Sequence, residues 1–491
     1  VILVAASFEL PALECAQGNA PAATLLVPYF RVSGNGVTSS ATDIPDLPAQ
    51  TETLLSVTNI SDTGLVIHVT VWSKYGKPVL GFNVPMTGKD AMTFRMKDVL
   101  NGHLDVNTTT QGSSNDSAAT MTVRKQKDLC GINQTSGTYD PAAHVVGFGQ
   151  SQFLRFPNPD SNDGAHAVSV YADPAFAGAA RQSVWNALDE SGDVTAMTSP
   201  GPWVLDRASE CTGAPHYAQV SGDFSGSVTI DVVNYCTNAF PTDAAWWTNG
   251  ALATAGWDTQ GPNALIGDVF YVDSTTDGNI SGESMVALRY APDLGGWNGP
   301  KTFYGRYDVL DGPESSAVPE EFRFVGDGRQ ALATRYGFRY LSDAAHGLRS
   351  WALVYRTDRY ASGANDLCAW ATALGPKDEG PWDFEHQVGL HLFDLDENEW
   401  FGGSCGSCPP PGPYYVFLET QRIDLLDNGD LNPPAYRGGW IDVTFPGSRY
   451  AQAYVGVQHS GHGQFLSVGH AASPLDPGEC GRQPLQMPPS K

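Results

Sequence analysis

The chain has 491 residues, of which 41% are hydrophobic, 11% aromatic and 16% charged, with 53 glycines and 34 prolines. Its formal net charge of −25 argues against nucleic acid, whose phosphates need Lys and Arg to displace counterions, and against anionic membrane surfaces; such acidity keeps a protein soluble. The length exceeds one ordinary hydrophobic core, so about two to four domains are expected, and no apolar run reaches the roughly 18 residues of a membrane-spanning helix.

Residues 1–16 (VILVAASFELPALECA) have the composition of the tail of a secretion signal, and Val1 in place of Met suggests a processed chain. Glu14 stands where a lipoprotein signal ending at Cys15 would need a small residue. The apolar side chains Val1, Ile2, Leu3, Val4, Phe8 and Leu10 form a β-prone segment. Pro11 and residues 17–23 (QGNAPAA) separate it from the first strand, so residues 1–23 read as an N-terminal β-arm.

Residues 24–105 read as an immunoglobulin-like β-sandwich. Its strands are expected at residues 24–32 (TLLVPYFRV) and 53–59 (TLLSVTN). In the next strand Leu65, Ile67, Val69 and Val71 alternate with Val66, His68, Thr70 and Trp72. Phe82, Val84 and Met86 share a face, as do Met92, Phe94 and Met96. Period two with one apolar face marks an antiparallel sheet over a core. Turn signals at residues 61–64 (SDTG) and 74–76 (KYG) divide the runs at sandwich-like intervals.

Residues 106–141 read as a polar linker, because residues 106–120 (VNTTTQGSSNDSAAT) are low in complexity. Asn107 begins the best placed of several N-x-S/T sequons. Residues 142–300 read as a second β domain, with strands near residues 145–156, 167–172, 227–235 and 268–272. One short helix is expected over residues 181–190, where Val184, Ala187 and Leu188 have helical spacing. Residues 301–491 read as a third β-sandwich, with strands near residues 351–357, 388–395, 415–425, 439–445 and 451–470. Long Gly/Pro-rich loops, such as residues 195–203 and 402–413, connect the elements. No fixed-period repeat argues for a propeller or solenoid. The expected fold class is all-β, with about two to three antiparallel sandwiches.

The cysteines are Cys15, Cys130, Cys211, Cys236, Cys368, Cys405, Cys408 and Cys480. An even count in an exported chain reads as disulfides. Proximity favours Cys211 with Cys236, and Cys405 or Cys408 with Cys368 or Cys480. Cys405 and Cys408 have the spacing of a zinc knuckle, but no second pair completes four ligands. A redox role needs a helix after the motif, which Pro409, Pro410 and Pro411 deny.

The same prolines argue against a nucleophile elbow at residues 402–406 (GGSCG). His459, His462 and His470 could approach a metal only across adjacent loops, since positions three apart on a strand face opposite ways. Asp394 and Asp396, with Glu397 and Glu399 opposite, have the look of a calcium corner or a glycosidase pair, but acidic strand ends are common. Asp273 and Asp277 partly match a calcium loop; a turn closing a strand is the plainer reading. Trp246, Trp247 and Trp440 could supply a sugar platform, although buried sandwich tryptophans are commoner. No catalytic residue and no cofactor is expected, and the chain reads as a non-enzyme.

Several phrases carry a resemblance: residues 24–30 (TLLVPYF), 53–59 (TLLSVTN), 69–72 (VTVW), 78–83 (PVLGFN), 98–102 (DVLNG), 228–236 (VTIDVVNYC), 303–307 (FYGRY) and 335–340 (RYGFRY). In these the chain resembles a group of large exported, multi-domain β-sandwich proteins from environmental bacteria that have no assigned function. The motifs are strand cores, so the resemblance implies export and a multi-sandwich fold and carries no site residue.

The apolar segment Val1–Leu10 must bury its side chains somewhere if it is ordered. It folds back on its own chain, or it adds as a strand to the open sheet of the next copy, as in donor-strand complementation. The second arrangement is head to tail and builds a filament when the rotation does not close, and Cys15 could lock such a joint. The expected function is an extracellular structural or adhesive subunit of a filament or surface layer, with itself as partner. The alternative is an exported carbohydrate-binding or carbohydrate-active protein that contacts polysaccharide.

Overall fold

The computed structural model describes residues 17–18, 20–34, 49–62, 64–86, 88–101, 153–156, 166–169, 184–185, 187–188, 223–234, 237, 239–243, 246–247, 251–253, 262–273, 279–290, 302–307, 327–341, 348–358, 387–394, 399–400, 414–415, 419–425, 438–445, 451–460, 468–471 and 473–474. They are mostly strand with almost no helix, and every described strand pairing is antiparallel, so the chain is all-β.

The elements run β1 (Gln17–Gly18), β2 (Thr24–Gly34), β3 (Ala49–Asn59), β4 (Leu65–Ser73), β5 (Pro78–Met86), β6 (Ala91–Arg95) and α1 (Met96–Asn101). Then come β7 (Phe153–Phe156), β8 (His166–Ser169), β9 (Asp223–Val233), β10 (Leu265–Asp273), β11 (Asn279–Ser284) and β12 (Val286–Leu288). The last set is β13 (Arg335–Leu341), β14 (Arg349–Thr357), β15 (Gln387–Asp394), β16 (Glu399–Trp400), β17 (Tyr414–Tyr415), β18 (Thr420–Asp424), β19 (Gly438–Thr444), β20 (Gln452–Ser460), β21 (Val468–Ala471) and β22 (Ser473–Pro474).

A 12-stranded sheet runs in the order β11-β10-β3-β2-β9-β4-β5-β7-β8, with β6 on β3, and β12 between β1 and β2. It folds over at β2. That strand pairs with β9 through most of its length, breaks register between Val27 and Phe30, and meets β3 only at Ser33 and Gly34. A bulge bends its strand, and the bend sets β6-β3-β10 over β2-β9-β4-β5. The layers meet where Phe82 of β5 touches Phe94 of β6, ring centroids 5.9 Å apart. Between them lie Leu25, Val27, Leu55, Val57, Ile67, Val69, Val228, Ile230 and Val269.

The sheet does not follow the sequence boundaries 24–105 and 142–300. β9 lies between β2 and β4, and β10 lies beside β3, so strands expected in separate domains share one sheet. Alternation reports which face of a strand is apolar but not which strand lies beside it.

At Met96 the expected strand turns into α1, whose Met96, Val99 and Leu100 are buried at helical spacing. Helical backbone also occurs at residues 184–185 and 187–188, inside the expected helix. Val184, Ala187 and Leu188 are buried there, and the Trp185 indole donates to the Leu100 carbonyl at 2.9 Å.

The second sandwich stacks β22-β13-β19-β15-β16 on β18-β14-β20-β21. Its core holds Tyr336, Phe338, Tyr340, Ile441 and Val443 from one sheet and Ala352, Val354, Ala453, Val455 and Val457 from the other. Replacing Ile230 by Ala at the centre of β9 is expected to cost about 2–5 kcal/mol through lost burial and the cavity left behind. The same change at Ile266, 38% exposed on β10, is expected to cost well under about 1 kcal/mol. Thermal melting of both variants checks the contrast.

Candidate functional site

The sequence predicts one apolar face for β4. In the structure all nine of its residues are buried. Leu65, Ile67, Val69 and Val71 enter the first core, while Val66 and Trp72 face a second cluster formed with Trp246, Phe303, Tyr304, Tyr307, Leu332, Tyr355 and Tyr454. The outer face of the first sandwich is therefore covered by β14, by β20 and by two connecting segments, residues 302–307 and 327–334. The seam between the sandwiches is aromatic. Trp72 stacks on Tyr307 at 5.8 Å, Phe303 stacks on Tyr355 at 6.1 Å, and the Trp72 indole donates to Thr229 at 2.9 Å.

Fully buried ionic groups sit within this apolar seam. Asp231, in the middle of β9, accepts from the Thr24 hydroxyl at 2.5 Å and from the Tyr304 hydroxyl at 2.8 Å. Asp327 accepts from the backbone N–H groups of Tyr304 and Arg329, both at 2.6 Å. The Arg329 guanidinium lies near both carboxylates, close enough to pull on their charge, and bonds to the groups around them. Its Nε donates to Thr24 at 3.1 Å, and its Nη1 donates to the carbonyls of Ala253 and Asp327, both at 2.9 Å. Its Nη2 has no hydrogen-bond partner among the described residues. Burial raises both Asp231 and Asp327 to about 6, against the pull of Arg329, and burial lowers Arg329.

A second ionic clamp joins Arg306 to Glu419 through bonds of 2.6 and 2.8 Å, with both side chains almost wholly buried. The Glu419 carboxylate presses on Gly76, whose φ of +76° already favours glycine. The Glu419 N–H donates to the Lys74 carbonyl at 2.8 Å. The turn between β4 and β5 is thus seated on the second sandwich. The guanidinium also lies 4.4 Å from the centre of the Tyr307 ring.

At the far edge Glu283 of β11 meets β20. Tyr271 donates to its Oε1 at 3.4 Å, while Oε2 has no hydrogen-bond partner among the described residues and lies beside Gly456. Burial raises Glu283 to about 7, opposed by the Tyr271 bond. The titratable groups around it are Tyr271 on β10 and Tyr454 on β20, and both phenols are pushed well above their usual range, first by burial.

Of the residues singled out from sequence, Trp246 and Trp247 pack into the aromatic cluster of this seam, and the other described ones are not part of it. Asp273 ends β10 in register with Asn279 of β11; Asp277 lies outside the described residues. Val1, Ile2, Leu3, Val4, Phe8 and Leu10 of the expected assembly segment, Asn107, and the expected disulfide cysteines Cys15, Cys130, Cys211, Cys236, Cys368, Cys405, Cys408 and Cys480 also lie outside the described residues. The same holds for His462, Asp396, Glu397 and residues 402–406. His459 and His470 lie on neighbouring strands, opposite Val468 and Val457, and Ser350 contacts the His459 Nδ1 at 2.7 Å. Among the described residues no group of His, Cys, Asp and Glu could hold a metal ion, and no helix is long and apolar enough to cross a membrane. Trp246 is buried edge-on to His68, and Trp247 donates to the Pro241 carbonyl, whereas Trp440 is partly exposed and stacks flat on Phe393 at 3.9 Å.

Sequence reading missed Asp231, Asp327, Arg329, Arg306, Glu419 and Glu283. Only Asp231 gave a signal, as a carboxylate inside the apolar run of residues 228–233 (VTIDVV). Compared with family models, with curated proteins and with solved structures, the chain finds no significant match.

Arg306→Ala is expected to cost about 3–5 kcal/mol by stranding Glu419, and Arg306→Met with Glu419→Leu is expected to restore most of it; thermal melting checks both. Glu283, Asp231 and Asp327 hold protons in the folded chain up to about 7, 6 and 6, against ordinary values of 4.5, 3.8 and 3.8. Between these limits the folded state binds more protons than the unfolded one, so stability falls as pH rises from about 4 to 7. The melting temperature should be highest in mild acid, and Glu283→Gln should flatten its decline towards neutral pH.

Proposed function

We propose that the chain is an extracellular structural subunit of a filament or surface layer, assembled head to tail by strand donation from the Val1–Leu10 segment. The observation that carries this reading is the seam. Buried polar groups tie one sandwich to the other: Asp231 and Arg329 share the Thr24 hydroxyl, Asp327 holds the Tyr304 and Arg329 N–H groups, and Arg306 pairs with Glu419. A joint made of buried aromatic rings and paired charges holds two sandwiches at a fixed angle, as a load-bearing repeat unit requires. The even cysteine count and the resemblance to exported multi-sandwich proteins support the extracellular location.

Electron microscopy and sedimentation of the native protein under non-reducing conditions test the proposal. High-mass polymers that fall to monomers when residues 1–14 are deleted are expected; a monodisperse monomer would overturn it.

One feature favours the carbohydrate reading. Trp440 and Phe393 stack in parallel on a sheet face where Trp440 is 36% and Leu341 42% exposed. A flat aromatic surface of this kind suits a sugar ring. Retention on insoluble polysaccharide that Trp440→Ala abolishes would favour this alternative.

A further inference from the structure

The strand-donation reading leaves open where the donated strand docks, and the geometry points to the free edge of β11. The inference rests on that reading. Among the described residues β11 pairs along one edge only, with β10. An unpaired edge offers a row of N–H and C=O groups to any extended segment laid beside it. Natural edges are commonly guarded by charge, but on β11 the outward face carries Ile280, 49% exposed. Ile280 stands opposite Val272. Phe270, 37% exposed, stands opposite Gly282, and its ring covers the position that a side chain there would take. Leu54 of β3 stands opposite Phe270 on the other side. The result is an apolar band across the sheet that ends at the open edge.

The occupant is the Val1–Leu10 segment of a second copy. Ile2, Val4, Ala6, Phe8 and Leu10 form an uninterrupted apolar face at period two, and the segment's one charge is Glu9. β11 has six residues and spans about 20 Å, while ten extended residues reach about 33 Å, so the segment covers the edge with chain to spare. The direction of β1 argues for a second copy. Gln17 pairs with Ala287 and Gly18 with Val286, so going back from Gly18 to Gln17 leads along β12 towards Leu288 and away from β11. A chain's own segment would have to reverse to reach its own β11, whereas a neighbour's segment can approach directly.

The test uses two altered full-length proteins and a truncation. Ile280→Lys and Ile280→Glu place a charge at the edge on an exposed position, and their melting temperatures should match the parent. Both are expected to be monomeric by sedimentation, able to donate a strand but not to accept one. The chain lacking residues 1–14 is expected to accept but not to donate. Mixing it with Ile280→Lys should give a dimer and nothing larger. Thr93→Lys, on the exposed face of β6 in the same sheet, should polymerise as the parent does. Polymers of normal length from folded Ile280→Lys and Ile280→Glu would overturn the assignment to β11 while leaving strand donation standing. A parent chain that never polymerises would overturn both.

Discussion

The structure depends on how one guanidinium is buried. Arg329 lies wholly out of solvent between Asp231 of β9 and Asp327. A charge buried there without partners would cost several kcal/mol, and the bonds to Thr24 and to the Ala253 and Asp327 carbonyls, with the two carboxyl groups nearby, offset that cost only while the geometry holds. This requirement binds distant parts of the chain together. Thr24 begins β2, Asp231 interrupts β9, Tyr304 comes from the 302–307 segment, and Arg329 opens the run that leads into β13. Displacing any one of them leaves a buried charge with too few partners. The apolar rings of the seam surround the network, so its polar groups must find their partners within the protein.

The same reasoning explains why the seam has a titrating edge. Asp231 and Asp327 have a cation within reach, yet burial still raises them. Glu283 has only a phenol, and burial raises it further. The junction is therefore tightest when these carboxyls are protonated, and rising pH acts on Asp231 and Asp327 before it acts on Glu283. Because Glu283 lies on β11, facing inwards while Ile280 faces outwards, the strand proposed to accept a neighbour also carries a carboxyl that burial raises to about 7.

Much of the fold was legible in the sequence. The alternation of Leu65, Ile67, Val69 and Val71, of Phe82, Val84 and Met86, and of Val228, Ile230 and Val232 placed those side chains in the core, because period two is a local property of the chain. Partnership is not local. Nothing in residues 223–233 says that β9 inserts between β2 and β4, and nothing in residues 65–73 says that Val66 and Trp72 face an aromatic cluster shared with the second sandwich. The candidate site was almost wholly illegible for the same reason. Arg329 reads as an ordinary surface residue until the fold brings it to Thr24, and Glu419 is unremarkable until it meets Gly76 and Arg306. Asp231 alone left a trace, as a charge inside the apolar run of residues 228–233 that a strand would not carry without a partner, and the alternation alone did not mark it as a site residue.

The central claim is that the buried seam makes the two sandwiches one cooperative body. Scanning calorimetry of the full chain, alongside Arg329→Met, tests it most directly. The account predicts a single transition that includes both sandwiches in the parent and a large downward shift of that whole transition in the variant. Two separate transitions in the parent, with one of them untouched by the substitution, would contradict it.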